Sequence, residues 1–525
     1  EPLLDSRSRR RFVLFVVVGL FLSTLILPLS QAVKFRMLPK ADKDRFLVQI
    51  DTPLGTELAE TDRVVRDMET LLKTDPEVVQ FESYVGVGSP VDFNGLLRGN
   101  ADRQGEHFAD IRVHLTNANA RKIKSEDIVL RLRPELTEIA AKYNAIVKLV
   151  EDPPGPPVRS TVLAEVYGPD YEKLRQLAKE VRQVFANTKE VVDIDDSVKN
   201  QIPQMKLEVD RLKVNRVGLT TEEIARTLNM AIAGTNVSTL QVPGELTPVA
   251  INVRFADVDR DSIDDLTRIQ IPTQTGELVP LSELVTFEPT IVDEPIFHKN
   301  QKPVVYVLGE MGDRSSVYAV IDQLIYFLRN PLPEGYYIHW DGEWKLTLDV
   351  FRDLGLAMLV AVMAIYLILV GQFRSFKVPV LILGSIPLAA IGVLIGFSLN
   401  GVYFSATAMI GTIALAGIVV RNAIVLLEFV GEKMNEGGDL KSAILEAGAV
   451  RFRPILLTSV TTMLGTLSIL GDPVWSGLAW TLLCGMLTSS ALTLFVIPLM
   501  YYGDRVRHLP ADDRFFPSLS TTEPC

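Results

Sequence analysis

The chain has 525 residues, a formal net charge of −11, 48% hydrophobic residues and 22% charged ones. That net charge says little about nucleic acid and argues mildly against a polyanionic ligand; no nucleic-acid partner is expected. Cys484 and Cys525 cannot form a disulfide framework, no Cys/His spacing suggests a metal site, and no cofactor or enzymatic activity is expected.

Six windows are nearly free of charge: Phe12–Val33, Leu354–Val370, Val378–Phe397, Phe404–Val430, Pro454–Leu470 and Val474–Met500. Each is about 17–27 residues, enough to cross ~30 Å of hydrocarbon at ~1.5 Å per residue. "RSRRR" before the first window and "SQA" after it also fit a cleaved signal peptide, but the apolar run from Phe12 to Pro28 is long for a signal core. The basic flanks are Arg7 to Arg11, Arg374 and Lys377, Lys433 to Arg453, and Arg505 with Arg507. The alternate short loops, "SLNGVYFS" and "GDPVW", carry no Lys or Arg. The expectation is a multi-pass membrane chain with both termini cytoplasmic and one large region outside. Trp340, Trp344, Trp475 and Trp480 fall at the outer ends of spans, as an aromatic belt would.

Between the first two windows the periodicity changes. "RFLVQIDTP", "ELAETDRVVRDMETLLKT" and "EVVQFESYVG" read as strand, amphipathic helix and strand. After a Gly-rich loop, "HFADIRVHL", "SEDIVLRLRPELTEIAAKY" and "AIVKLVE" repeat that pattern. Paired units of this kind predict a ferredoxin-like β-α-β sandwich. The loop from Gly86 to Gly99 has few large apolar anchors and is expected to be mobile. "EDPPGPPVRS" marks a boundary. A third unit runs through "TVLAEVYG", "YEKLRQLAKEVRQVFAN" and "VVDIDDSV". A fourth appears only at "KPVVYVLGE", "SVYAVIDQLIYFLRN" and "YYIHWDG". The block from Gln201 to Thr290 differs and reads as a domain inserted into the second sandwich.

The fourth window contains Arg421. A guanidinium at that depth costs at least ~2.5–3.5 kcal/mol on insertion scales. Gly411, Ala414, Gly417, Arg421 and Glu428 share an arc of roughly 120° on a helix, and small residues mark a close-packing face. Arg421 is therefore expected to point into a helix bundle. No Asp or Glu occupies the middle of any window, so its counter-charge is expected from another membrane half, and a chain beginning at Glu1 fits a fragment.

"GIVVRNAIVLLEF" followed by "AGAVRFRPILLTS" resembles the C-terminal half of a resistance–nodulation–division (RND) efflux transporter of the acriflavine-resistance, hydrophobe-amphiphile type. The order of one span, a large outer region and five spans is similar along almost the whole chain. The resemblance implies an α-helical membrane bundle of six spans with an α+β periplasmic region. It places a transmembrane helix at 12–33, a first porter subdomain at 34–155, and a second at 156–200 and 291–345. A docking subdomain would fill 201–290, five helices 346–505, and a cytoplasmic tail 506–525. It also implies a proton-motive-force-driven antiporter of small amphiphilic compounds in a bacterial inner (cytoplasmic) membrane, a homotrimer when complete. The expected partners are the missing N-terminal half, a periplasmic adaptor (membrane fusion) protein and an outer-membrane channel.

In the family's multidrug branch a Lys in this span faces two Asp residues of the other half. Arg421 stands at the matching position, followed by Asn422; Arg451 and Thr458 match the second motif. Unlike Lys, Arg stays charged, which implies a fixed counter-charge while carboxylates titrate. Multidrug relatives line the outer cleft with Phe; here Phe93 lies in the loop and Arg112 stands where an aromatic is frequent, which implies a more polar cleft. Soft-metal relatives use Met ligands, and Met37 and Met68 are the residues weighed for that role, on an approach segment and a surface-type helix. The alternatives are an RND-fold factor for lipid, metal or protein export, or an inactive half-transporter.

Overall fold

The computed structural model describes residues 4, 6–40, 42–152, 155–156, 158–198, 203–244, 248–273, 275–291 and 295–508. They divide into two compact units, Glu1–Val198 with Phe297–Cys525, and Lys199–Ile296. Cys525 and most of the expected tail, 509–525, lie outside the described residues.

The first unit begins with helix α1 (Arg7–Leu29). Strands β1 (Arg45–Asp51), β2 (Val78–Val87), β3 (Gln104–Leu115) and β4 (Ile146–Glu151) then form an antiparallel sheet in the order β2-β3-β1-β4. The period of two sends Phe46, Val48 and Ile50 of β1 to one face. Helices α2 (Leu58–Leu72) and α4 (Ser125–Lys142) cover that face with Val64, Met68, Leu72, Ile128, Leu132 and Leu136. The opposite face carries Gln49, Asp51, Asp110, Arg112 and Lys148. Every strand and helix expected here is present. The Gly86–Gly99 loop differs from its expectation, because it contains helix α3 (Phe93–Arg98). The Asp92 carboxylate caps α3 by accepting from the Gly95 N–H at 2.7 Å, and Gly99, at φ +80°, ends it.

A second sandwich starts with β5 (Val162–Tyr167), helix α5 (Tyr171–Asn187) and β6 (Val191–Asp196). The second unit follows. It pairs β7 (Pro203–Val209) with a later strand and continues into α6 (Thr221–Ile232), which starts on a Thr220–Glu223 capping box. Its hairpin, β8 (Thr235–Leu240) with β9 (Val249–Val253), is exposed along both strands. Short strands β10 (Gln270–Pro272) and β11 (Leu278–Pro280) pair, and β12 (Val285–Ile291) closes onto β7. Ile224, Leu228, Ile271 and Leu281 form its own core.

The first unit resumes with β13 (His298–Lys299), β14 (Lys302–Met311), α7 (Ser316–Arg329) and β15 (Tyr337–Gly342). β5 joins β14 to β15, and β6 flanks β14. Gly342 turns the chain from β15 into the next helix at φ +77°, where a Cβ would stand 2.5 Å from the Ser160 carbonyl oxygen.

Five helices follow: α8 (Glu343–Phe373), α9 (Lys377–Asn400), α10 (Ala406–Asn435), α11 (Leu440–Thr466) and α12 (Ser476–His508). Among the described residues, six helices are long and apolar enough to cross a membrane. Small residues set their approach. A Cβ at Gly485 would meet Leu415 at 2.2 Å, one at Gly396 would meet Cys484 Sγ at 2.3 Å, and one at Gly411 would meet Leu478 Cα at 3.2 Å.

Candidate functional site

α10 buries Leu415, Val419, Val420, Ala423, Leu426 and Leu427 against its neighbours. Arg421, Ala414, Gly417 and Glu428 lie on the other side and are exposed. The expectation that Arg421 points into the bundle therefore fails within this chain. The physical reason is that the Ala414, Gly417, Arg421 and Glu428 side of α10 is left uncovered in this chain. Gly411, at one edge, is packed against α12, whereas a Cβ at Gly417 would meet nothing within 4 Å. No hydrogen bond or ion pair reaches Arg421 from any described residue. Glu428 accepts a hydrogen bond from Gln372 Nε2 at 3.3 Å.

The three companion residues do not gather around Arg421. Asn422 is 7% exposed, on the covered side of α10. Arg451 places its guanidinium carbon 4.9 Å above the Phe429 ring, and its Nε has no hydrogen-bond partner among the described residues. Thr458 is exposed, with its hydroxyl donating to the Ile455 carbonyl at 3.0 Å. Arg421 and Thr458 are both exposed and no hydrogen bond joins them among the described residues, whereas Arg451 of α11 stacks on Phe429 of α10.

In the outer region, Arg112 and Phe93 are also separated. Arg112 Nη2 donates to the Pro90 carbonyl at 2.8 Å and lines a shallow cleft with Arg45, Asp92, Asn94 and Asp152. Phe93, 71% exposed, lies outside that lining. The methionines are further apart in kind. Met37 lines a cavity of about 90 Å³ together with Arg36, Lys40, Glu310 and Glu343. Met68 is fully buried in the first sandwich, which corrects its assignment to a surface-type helix and removes it as a ligand.

Sequence reading missed the ionic joint between the two sandwiches. Arg98 Nη1 pairs with Glu310 Oε1 at 2.7 Å, Arg133 pairs with Asp193, and Lys148 bridges Asp51 at 3.0 Å to Asp195. Behind it, Arg103 Nε contacts Asp110 at 3.0 Å, and Asp110 is fully buried. Burial pushes the Asp51 carboxyl up, but Lys148 and Arg103 outweigh it and hold the group below its ordinary range. Burial lowers the Lys148 ammonium, yet Asp51 and Asp195 carry it above its usual value. For Asp193, burial wins over Arg133 and the carboxyl is raised. Alternating charge on the sheet's open face was the available signal; partners 47 and 60 residues apart in the chain gave no local pattern.

Among the described residues, one group has metal-ligand chemistry. The ligand atoms of Glu165, His339 and Asp341 lie within 4.8 Å of one another. Lys299 Nζ stands 2.5 Å from Glu165 and 3.2 Å from Asp341, so an ammonium already occupies that space and the set does not fit a dication.

Residues 3–503 match the AcrB/AcrD/AcrF family. The multidrug resistance protein MdtC of Erwinia amylovora is 27% identical over 95% of this chain and 48% of its own length. The cobalt-zinc-cadmium resistance protein CzcA of Cupriavidus metallidurans is 23% identical over 100% of this chain and 50% of its own. The swarming motility protein SwrC of Bacillus subtilis is 30% identical over 64% of this chain and 32% of its own. A crystal structure of a heavy metal efflux pump shares the fold, with a TM-score of 0.78 and 20% identity over 96% of this chain and 51% of that one. The chain thus spans about half the length of MdtC and CzcA. With a match that runs nearly end to end, the chain belongs to the AcrB/AcrD/AcrF family of RND transporters.

Proposed function

We propose that this chain is the C-terminal half of a proton-motive-force-driven RND efflux pump that exports small amphiphilic compounds from the inner membrane and periplasm. One observation carries the reading: the Ala414, Gly417, Arg421 and Glu428 face of α10 is exposed and holds a cation with no partner among the described residues. A charge left there in lipid is costly, so a second membrane half supplies the cover and the carboxylates. Arg421 acts as their fixed counter-charge, and Asn422, Arg451 and Thr458 support the relay. Residues 34–200 and 291–345 act as porter subdomains, with Phe93 and Arg112 at the cleft. Residues 201–290 dock a periplasmic adaptor or an outer-membrane channel, and the complete protein is a trimer.

The test is uncoupler-sensitive dye efflux from cells lacking other pumps. Residues 1–525 alone should give none, and co-expression with a matching N-terminal half should restore it. Robust export by residues 1–525 alone would refute the half-transporter reading. The names of CzcA and of the heavy metal pump favour a second reading, export of divalent cations. Restored tolerance to cobalt or zinc without dye efflux selects it.

A further inference from the structure

We propose that a basic cavity at the Arg7 end of α1 binds the phosphate headgroup of an anionic phospholipid. The cavity is about 250 Å³. Arg7, Arg10 and Arg11 line one side, and Leu381 of α9 and Leu499 of α12 line another. The spacing i, i+3, i+4 puts the three guanidinium groups on one face of α1. Asp504 is the acidic residue on the described wall, so the basic groups outnumber it.

Basic residues flanking a span are usually solvated charges that set orientation. Here the geometry is different. Arg10 is 8% exposed, and its guanidinium carbon lies 5.3 Å from the centroid of the Tyr502 ring. Gly503 leaves the space beside it open, since a Cβ there would stand 3.4 Å from Arg10 Nε. Arg7 and Arg11 remain exposed at the rim, free to meet an anion. Directly beside them begins an apolar wall, Leu381 half-buried and Leu499 buried. A phosphodiester at the rim with its acyl chains along that wall satisfies both surfaces at once. A free phosphate satisfies only the first. The cavity lies at the ends of three membrane-type helices, the level at which lipid headgroups sit.

Native mass spectrometry of the purified chain in detergent tests this, with phosphatidylglycerol, phosphatidylcholine of the same acyl chains, and inorganic phosphate as probes. Phosphatidylglycerol should be retained and phosphatidylcholine lost. Arg7→Gln and Arg11→Gln should each weaken retention about five-fold, while Arg7→Lys with Arg11→Lys keeps it. Leu381→Trp removes no charge but fills the cavity, and it should displace phosphatidylglycerol while leaving the helical circular dichroism intact. Should the glutamine variants fail to fold, Leu381→Trp still decides. Equal retention of both lipids, retention unchanged in Leu381→Trp, or inorganic phosphate held as tightly as the lipid would each overturn the proposal.

Discussion

Arg98 Nη1 lies 2.7 Å from Glu310 Oε1, and this pair ties helix α3 of the first sandwich to strand β14 of the second. Both side chains are largely shielded, at 11% and 16% exposure, so the pair is screened less than a surface bridge. Thr161 Oγ1 donates to the other Glu310 oxygen at 2.9 Å and fixes the carboxylate. A segment expected to be a mobile loop is thus anchored at its C-terminal end.

Removing one partner leaves the other charge shielded and alone. Arg98→Ala and Glu310→Ala should each destabilise the first unit by about 1–3 kcal/mol, and the double variant by less than their sum. A double-mutant cycle on thermal unfolding in detergent reads this. Additive losses would mean that the two residues do not interact in solution.

The joint should respond to pH at both extremes. Asp51 is held below its ordinary 3.8, so its contribution is fully present above that value and is lost as pH falls through the lower folded value. Lys148 is raised above 10.5, so its contribution is present below 10.5 and is lost as pH rises through the folded value. Asp193 is raised and opposes Asp51, contributing a penalty at neutral pH that fades on acidification. Hydrogen exchange in β4 and β6 should accelerate at both ends, and Lys148→Met should abolish the alkaline limb.

Glycines on α10 should separate the two surfaces of the helix. Gly411→Val would press on Leu478 and Thr481 and should cost about 1–3 kcal/mol. Gly417→Val enters open space and should leave the stability of residues 1–525 unchanged. In a complete transporter the same Gly417→Val should block association of the two halves, read by co-purification. Normal association would show that this face is not where a second half packs.

Arg421 has no described partner, so Arg421→Ala should alter the stability of the isolated chain by less than ~0.5 kcal/mol. In a complete transporter it should stop export without lowering the amount of protein in the membrane. Arg421→Lys should keep part of the rate. Wild-type export by Arg421→Ala, at equal protein, would leave Arg421 without a role in coupling.

Arg112 donates to Pro90, so its replacement affects both charge and the start of the α3 loop. In a complete transporter, Arg112→Phe should shift export towards neutral, more apolar compounds, and Arg112→Lys should keep the original ranking. An unchanged ranking in both would remove Arg112 from the cleft. Replacing Gly95 and Gly99 by Pro should break α3 rather than stiffen its loop. The Gly95 N–H is the donor to Asp92, and Gly99 sits at φ +80°, which proline cannot adopt.

Much of the architecture was legible because it rests on local periodicity and on solvent. Alternation placed β1 to β4 and β14 within a few residues, most plainly in β1, where Phe46, Val48 and Ile50 are buried on one face. Charge-free runs located the six long helices, because a bilayer selects by length and transfer free energy alone. The same patterns state which residues share a face, but not which neighbour covers it. Gly411 and Gly417 stand at the two edges of one helical arc, and only Gly411 meets α12. Met68 belongs to an amphipathic helix whose apolar side is the sandwich core, and sequence alone left it on the surface. Lys148 and Asp195 are neighbours through the meeting of β4 with β6, so only the packed chain brings their charges together. That no window carries an acid at the depth of Arg421 is a matter of composition; the direction of its side chain is decided by tertiary packing, which covers the opposite side of α10 and leaves the guanidinium exposed.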